Sequence, residues 1–293
     1  GAAGETTASL LEKYGVANVI LADGPAGIRI TSHYQKNPSD GSVYKMNMYQ
    51  RLENRIFGTE FLHTDGEDYY QYCSAIPVGT LLAQTFDTEL LEEVGRMIGA
   101  ELEEFGVTLW LAPGMNIHRN PLCGRNFEYY SEDPLVAGKS GAAMVRGMQS
   151  EHIGASVKHF CCNNKETNRK DSDSRVSERA LREIYLKAFE IIVKEADPYT
   201  IMSSYNLING VQASENKDLL TGILRGEWDF KGMVTTDWWT HGEHYRETKA
   251  GNDIKMANGY EERVQEAFEK GYITRDEIAL CAKRILTMIL RMD

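Results

Sequence analysis

Five short apolar runs in this chain each end on residues able to do chemistry. Val19 to Ala22 leads into Asp23-Gly24-Pro25, and Val107 to Leu111 into Ala112-Pro113-Gly114. Ala155 onward leads into Lys158-His159, Thr200 onward into Tyr205-Asn206, and Met233 onward into Asp237-Trp238-Trp239. Asp, Arg, Lys, His, Tyr and Trp gathered in one pocket suit a carbohydrate. Carboxylates and cations grip vicinal hydroxyls, while an indole face covers the apolar side of a sugar ring. Asp237, at a strand end and followed by two tryptophans, has the rigidity and the neighbouring cations that a nucleophilic carboxylate requires. Its alternative is a helix N-cap after the strand. Lys158 has the alternative of an ordinary ion pair with one of the chain's many carboxylates.

Residues this far apart meet only if a fold brings the ends of their runs to one face. Parallel strands in an α/β barrel do so. The remaining pattern matches, because the runs, with a weaker one at Ile254 to Met256, alternate with helical segments. Asp87 is placed to cap a helix striped by Leu91, Val94, Ile98, Leu102 and Phe105, with Gly106 as its stop. Ser177 begins a longer stripe through Leu181, Ile184, Tyr185, Ala188, Phe189 and Ile192. The tail from Arg275 to Met292 repeats the pattern. Residues 30–77 break it with a polar, Tyr- and Asn-rich stretch, read as a long loop inserted after the first strand, where a barrel places its substrate-facing loops.

The 293 residues suffice for one large domain, expected over 1–293. The 43 acidic against 32 basic residues give a net charge of -11, so nucleic acid and anionic membranes are poor partners. Apolar stretches such as Ile191 to Val193 fall far short of the roughly 20 residues that span a bilayer. The five cysteines, Cys73, Cys123, Cys161, Cys162 and Cys281, form no C-x-x-C pair. Their odd count favours a reducing, cytoplasmic setting over a disulfide framework. The opening Gly1-Ala2-Ala3-Gly4 suggests a processed or trimmed start, which leaves targeting unreadable. His241-Gly242-Glu243-His244 lacks the H-E-x-x-H spacing and a third ligand, so no metal is expected. Cys161-Cys162 has no assignable base and is read as packing.

The chain resembles the barrel domain of glycoside hydrolase family 3 β-glucosidases. The resemblance rests on Leu21-Ala-Asp-Gly-Pro-Ala-Gly-Ile-Arg29, Gly124-Arg-Asn-Phe-Glu-Tyr-Tyr-Ser-Glu-Asp-Pro134, Val157-Lys-His-Phe160, Met202-Ser-Ser-Tyr-Asn206 and Thr236-Asp-Trp238. Several motifs in the right order make it specific. It implies a TIM-type (β/α)8 barrel, irregular or incomplete at its N-terminal strand. It also implies a retaining mechanism with Asp237 as the nucleophile that forms a glycosyl-enzyme ester. Residue by residue, Asp23 matches the carboxylate that accepts hydrogen bonds from the terminal sugar, and Arg125, Lys158 and His159 match donors to the same ring. Tyr205 matches the tyrosine placed against the nucleophile, Trp238 the stacking wall and Met202 an apolar contact. Arg125 has Glu128 and Glu132 within pairing reach in sequence. Arg169 and Arg175 lie at the pocket mouth or in a solvated charge run. No cofactor is implied.

The resemblance also exposes a gap. A retaining glycosidase needs a second carboxyl group roughly 5 to 5.5 Å from the nucleophile, which such β-glucosidases take from a separate α/β sandwich domain. The segment after Lys158-His159, Cys161-Cys-Asn-Asn-Lys-Glu166, lacks the His/Asp dyad of other branches. The expected partners are therefore a β-glucoside or small oligosaccharide and a missing sandwich domain, the chain being read as the barrel piece of a larger enzyme. The alternatives are a sugar-binding barrel fragment with little turnover, self-associating through its open face, or β-xylosidase specificity.

Overall fold

The structure is a computed structural model that describes residues 4–5, 13–46, 48–58, 65–257 and 259–292. In chain order its strands are β1 (Gly4–Glu5), β2 (Ile20–Ala22), β3 (His33–Lys36), β4 (Val43–Tyr44), β5 (Glu67–Tyr70), β6 (Leu109–Trp110), β7 (Gly154–Phe160), β8 (Asp173–Ser174), β9 (Thr200–Ser203), β10 (Leu207–Ile208), β11 (Val211–Gln212) and β12 (Met233–Thr236). The α-helices are α1 (Met48–Phe57), α2 (Gly79–Ala83), α3 (Thr88–Glu104), α4 (Pro134–Gln149), α5 (Glu178–Ala180), α6 (Lys187–Ala196), α7 (His244–Ala250), α8 (Glu261–Glu269) and α9 (Arg275–Met292).

The main sheet runs β1-β2-β6-β7-β9-β12, with β1 antiparallel at its edge and the other five parallel. It curls as part of a TIM-like barrel wall with helices outside. A parallel bridge from Thr235 to Ile254 extends it one step beyond β12. Among the described residues the weak run Ile254 to Met256 joins the sheet only through this bridge, and the run Val107 to Leu111 shortens to β6.

Alternating side chains divide the strands between two apolar clusters, as a period of two requires. Val157, Ile201 and Val234 join the large cluster with Leu91, Ile98, Met144 and Phe189 of α3, α4 and α6. Leu21, Leu109 and Met202 point the other way, toward Ile289 of α9 and Met256. All seven residues of β7 are buried, as befits a strand covered on both faces.

Asp87 caps α3, its Oδ1 accepting from the Glu89 and Leu90 amides at 3.0 Å each. Asp133 caps α4 in the same way, with Pro134 opening the helix. The helix expected from Ser177 onward is interrupted, because Leu181–Tyr185 is π-helical. There the Leu186 amide reaches back five residues to the Leu181 carbonyl at 2.8 Å. The extra residue in the turn rotates the stripe, so Leu186 is buried while Ile184 stands 40% exposed.

The stretch read as a loop after the first strand carries structure of its own. Strands β4-β3-β5 form a small antiparallel sheet, tied by rings of His33 on Tyr70 and of Tyr34 on Tyr69, and α1 precedes β5. The signal was hidden because β5, Glu67-Asp68-Tyr69-Tyr70, is exposed at every position and shows no apolar alternation.

Candidate active site

Most of the site residues lie in or just after the C-terminal ends of strands. Asp237 follows β12, and its amide donates to the Ser203 carbonyl at 3.1 Å. Its Oδ1 accepts from the Trp238 amide at 2.7 Å. Lys158 and His159 sit within β7. There the Met115 amide donates to the Lys158 carbonyl at 2.6 Å, and Asn116 exchanges hydrogen bonds with both backbone groups of His159 at 2.9 and 3.0 Å. Asp23 follows β2 in a tight turn, where the Arg29 amide returns to the Asp23 carbonyl at 2.8 Å. Gly24 in that turn has φ +115, and a Cβ on it would strike the Gly27 carbonyl, so only glycine fits. Tyr205 follows β9, Met202 lies in it, and Arg125 precedes the 3₁₀ turn Asn126–Glu128.

These strand ends enclose a cavity of about 870 Å³. Asp23, Arg125, Lys158, His159, Met202, Tyr205, Asp237 and Trp238 all line it. The Lys158 ammonium, almost wholly buried, donates to Asp23 Oδ1 at 2.6 Å, and Arg29 holds Oδ2. Burial pushes the Asp23 carboxyl up, but Lys158 and then Arg29 outweigh it and hold it at about 2. It is therefore an anion and a hydrogen-bond acceptor.

Asp237 is the opposite case. Burial raises its pKa, against the pull of the Trp238 amide and of the Lys158 and Arg125 charges. Its Oδ2 is buried without a hydrogen-bond partner, with His159 Nε2 at 3.7 Å. An oxygen influenced by nearby charges and by the Tyr205 hydroxyl, but with no donor in full hydrogen-bond geometry, keeps lone pairs for a reactant. Burial, together with Arg125, Lys158 and Arg169, drives the His159 pKa well below its ordinary value, so the ring is neutral. The Tyr205 hydroxyl is pushed up by burial and then by the charge of Asp237, which keeps it a donor. Arg169 stacks over its ring at 4.7 Å.

Of the two arginines in the following loop, Arg169 lines the cavity, whereas Arg175 is 87% exposed and pairs with Asp173. Arg125 pairs with the buried Glu128 rather than with Glu132 and still faces the cavity. Cys161 and Cys162 are buried with their sulfurs 3.6 Å apart, and burial raises the Cys161 thiol. Their burial fits the packing read from the sequence. His241 pairs with Asp171 at 3.0 Å.

Sequence reasoning gave no role of their own to Phe127 and Trp239, which line the cavity, nor to Arg29 and Asn116, and it offered Glu128 only as a candidate partner of Arg125. Glu128 was findable from its three-residue spacing to Arg125. Nothing local marks Asn116, whose role depends on a neighbour 43 residues away.

An α/β barrel domain with a charged, aromatic-walled pocket at its strand C-termini is thus defined. The chain belongs to glycosyl hydrolase family 3: residues 2–288 match the model of the Glycosyl hydrolase family 3 N terminal domain. It is 50% identical over 268 residues to β-glucosidase A of Butyrivibrio fibrisolvens, covering 92% of this chain and 28% of that protein. It is 37% identical over 280 residues to an exo-α-(1→6)-L-arabinopyranosidase of Bifidobacterium longum, covering 95% and 34%. It also matches the structure of β-glucosidase 3B from Thermotoga neapolitana in complex with α-D-glucose, with a TM-score of 0.84 and 41% identity over 99% of this chain and 38% of that one. The chain therefore spans about a third of the length of these relatives.

Proposed function

We propose that this domain is the nucleophile-bearing part of a retaining β-glucosidase that removes terminal β-D-glucosyl residues. The observation that carries the reading is the buried Asp237 carboxylate, whose Oδ2 has no hydrogen-bond partner, in a cavity whose other described carboxylates are engaged. Asp23 is taken by Lys158 and Arg29, and Glu128 by Arg125.

In this mechanism Asp237 attacks the anomeric carbon as the glycosidic bond breaks, and a carboxylic acid protonates the departing oxygen. The same residue, now a carboxylate, takes a proton from water, which attacks the anomeric carbon and frees Asp237 with net retention. Asp23 accepts from the sugar hydroxyls, while Arg125, Lys158 and His159 donate. Trp238 covers the ring, Met202 packs beside it, and Tyr205 steadies the nucleophile. Because the described carboxylates nearest the nucleophile are held by cations, the acid is assigned to another domain of the full-length protein. The relatives' greater length supports that assignment.

Proton NMR of 4-nitrophenyl β-D-glucoside hydrolysis by the full-length protein tests the reading. β-Glucose must appear first and mutarotate later. First-formed α-glucose contradicts it, and faster turnover of the β-xyloside moves the specificity to xylose. The absence of a second free carboxyl in the described cavity favours one other reading, a sugar-binding barrel without turnover. That reading predicts glucose binding with no product.

A further inference from the structure

Two buried charges stand behind the loop that carries Trp238 and Trp239, and the mechanism above does not use them. Lys255, just past the Thr235–Ile254 bridge, meets Glu247 of α7 at 2.6 Å, and both side chains are buried. The pair is fully engaged with the loop. Glu247 Oε1 accepts from the Thr240 hydroxyl at 2.6 Å and from Ser214 at 2.8 Å. Lys255 donates to the Gly242 carbonyl at 2.9 Å and to the Thr240 hydroxyl at 3.1 Å. A Cβ on Gly242 would strike Glu247 Oε1, so the loop lies directly on the pair.

A buried ion pair is a poor source of net stability, since desolvation offsets most of its attraction. Its geometry matters more here. The nucleophile and the outer tryptophan hang from different anchors. Asp237 is tied to β9 through Ser203, whereas the Trp239 amide donates at 2.8 Å to Met256, the residue after Lys255. Trp239 has φ 55, a left-handed backbone that a bulky residue keeps only when its surroundings hold it. Its indole, 57% exposed, lines both the main cavity and a second of about 260 Å³ whose wall includes Lys255. If the attacked sugar lies against the buried Lys158 and Asp237, the more exposed Trp239 is left for the leaving group.

We propose that the Lys255–Glu247 pair is a positioning device that fixes residues 239–243 and so sets the grip of Trp239 on the group beyond the attacked sugar. The proposal rests on the glycosidase reading. Attack by Asp237 on a well-activated glucoside is then nearly independent of the pair, while recognition of a sugar leaving group depends on it.

The test uses the full-length protein carrying Lys255→Met with Glu247→Gln. This removes both charges together, so that neither is stranded, and keeps an acceptor for Thr240 and Ser214. The expected result is a fold retained by circular dichroism and a KM for a β-linked glucose disaccharide raised about tenfold, the size of one lost aromatic contact. The trapping rate at saturating 2-fluoro aryl glucoside stays within about threefold of the parent. In a Trp239→Ala background the same double change adds nothing further to KM. An unchanged KM, an equal fall in the trapping rate, or full additivity with Trp239→Ala overturns the proposal. Thr240→Val, which keeps both charges, decides the matter if the double variant does not fold: a raised KM supports the proposal and an unchanged one overturns it. Failure of the parent protein to form any glucosyl adduct instead overturns the glycosidase reading itself.

Discussion

At Asp23, burial and charge compete, and charge wins through a nearly buried lysine. Its folded pKa is lowered from 3.8 to about 2, so the folded state favours the ionised form. The resulting stabilisation is fully present above pH 4 and disappears as pH falls through about 2. Its size is about 2 kcal/mol, most of it owed to Lys158 because Arg29 is largely solvated. Thermal melts of the parent and of Asp23→Asn should therefore differ most near neutrality and converge near pH 2, and a gap independent of pH would contradict this. In the proposed site the same substitution would remove an acceptor for sugar hydroxyls, so KM for a simple β-glucoside should rise about tenfold or more in steady-state assays. His159 has linkage of the same sign in a higher pH window. Its lowered pKa means that the unfolded chain takes up the proton first, so acid below its ordinary value of 6.5 destabilises the fold through this residue.

Helices α3 and α4 approach more closely than side chains normally permit. A Cβ on Gly95 would lie 2.5 Å from the Met144 carbonyl, and one on Gly147 would strike the Glu92 carbonyl. Gly147→Ala must push two backbones apart and should cost about 2 kcal/mol or more in urea unfolding. Gly222→Ala, with nothing within 4 Å of the added carbon, should stay within about 0.5 kcal/mol of the parent. Equal costs would refute the close-packing account. Elements of this kind were readable where local chemistry decides them, as in the Asp87 cap and the apolar stripe of α3. The π-helical turn at Leu181–Tyr185 was not readable, because a one-residue change in hydrogen-bond register leaves the residue types untouched. The small sheet β4-β3-β5 escaped because its stability comes from aromatic pairs between strands, not from a buried face.

At the scale of the whole molecule, the order of strands along the chain places Asp23, Lys158, Tyr205 and Asp237 at one rim, and that much followed from the residues after each apolar run. The long-range partners did not follow, because Asn116 on His159 and Lys255 on Glu247 acquire meaning only once the sheet has curled. The proposed division of labour between this domain and an acid supplied elsewhere has a kinetic consequence. Residues 1–293 expressed alone, with folding checked by circular dichroism, should be glucosylated by 2,4-dinitrophenyl glucosides but should leave alkyl glucosides intact, because only good leaving groups depart without a proton. Comparable rates on both classes would place the acid within these residues.

The central claim is that Asp237 forms a covalent ester with the sugar. It is tested most directly by intact-mass spectrometry and peptide mapping after incubation with a 2-fluoro glucoside bearing an activated leaving group, using the parent protein and Asp237→Ala. One sugar per chain on the parent alone, mapped to the peptide containing Asp237, is the predicted result. An adduct on another residue, or an equal adduct on the folded Asp237→Ala variant, would contradict it.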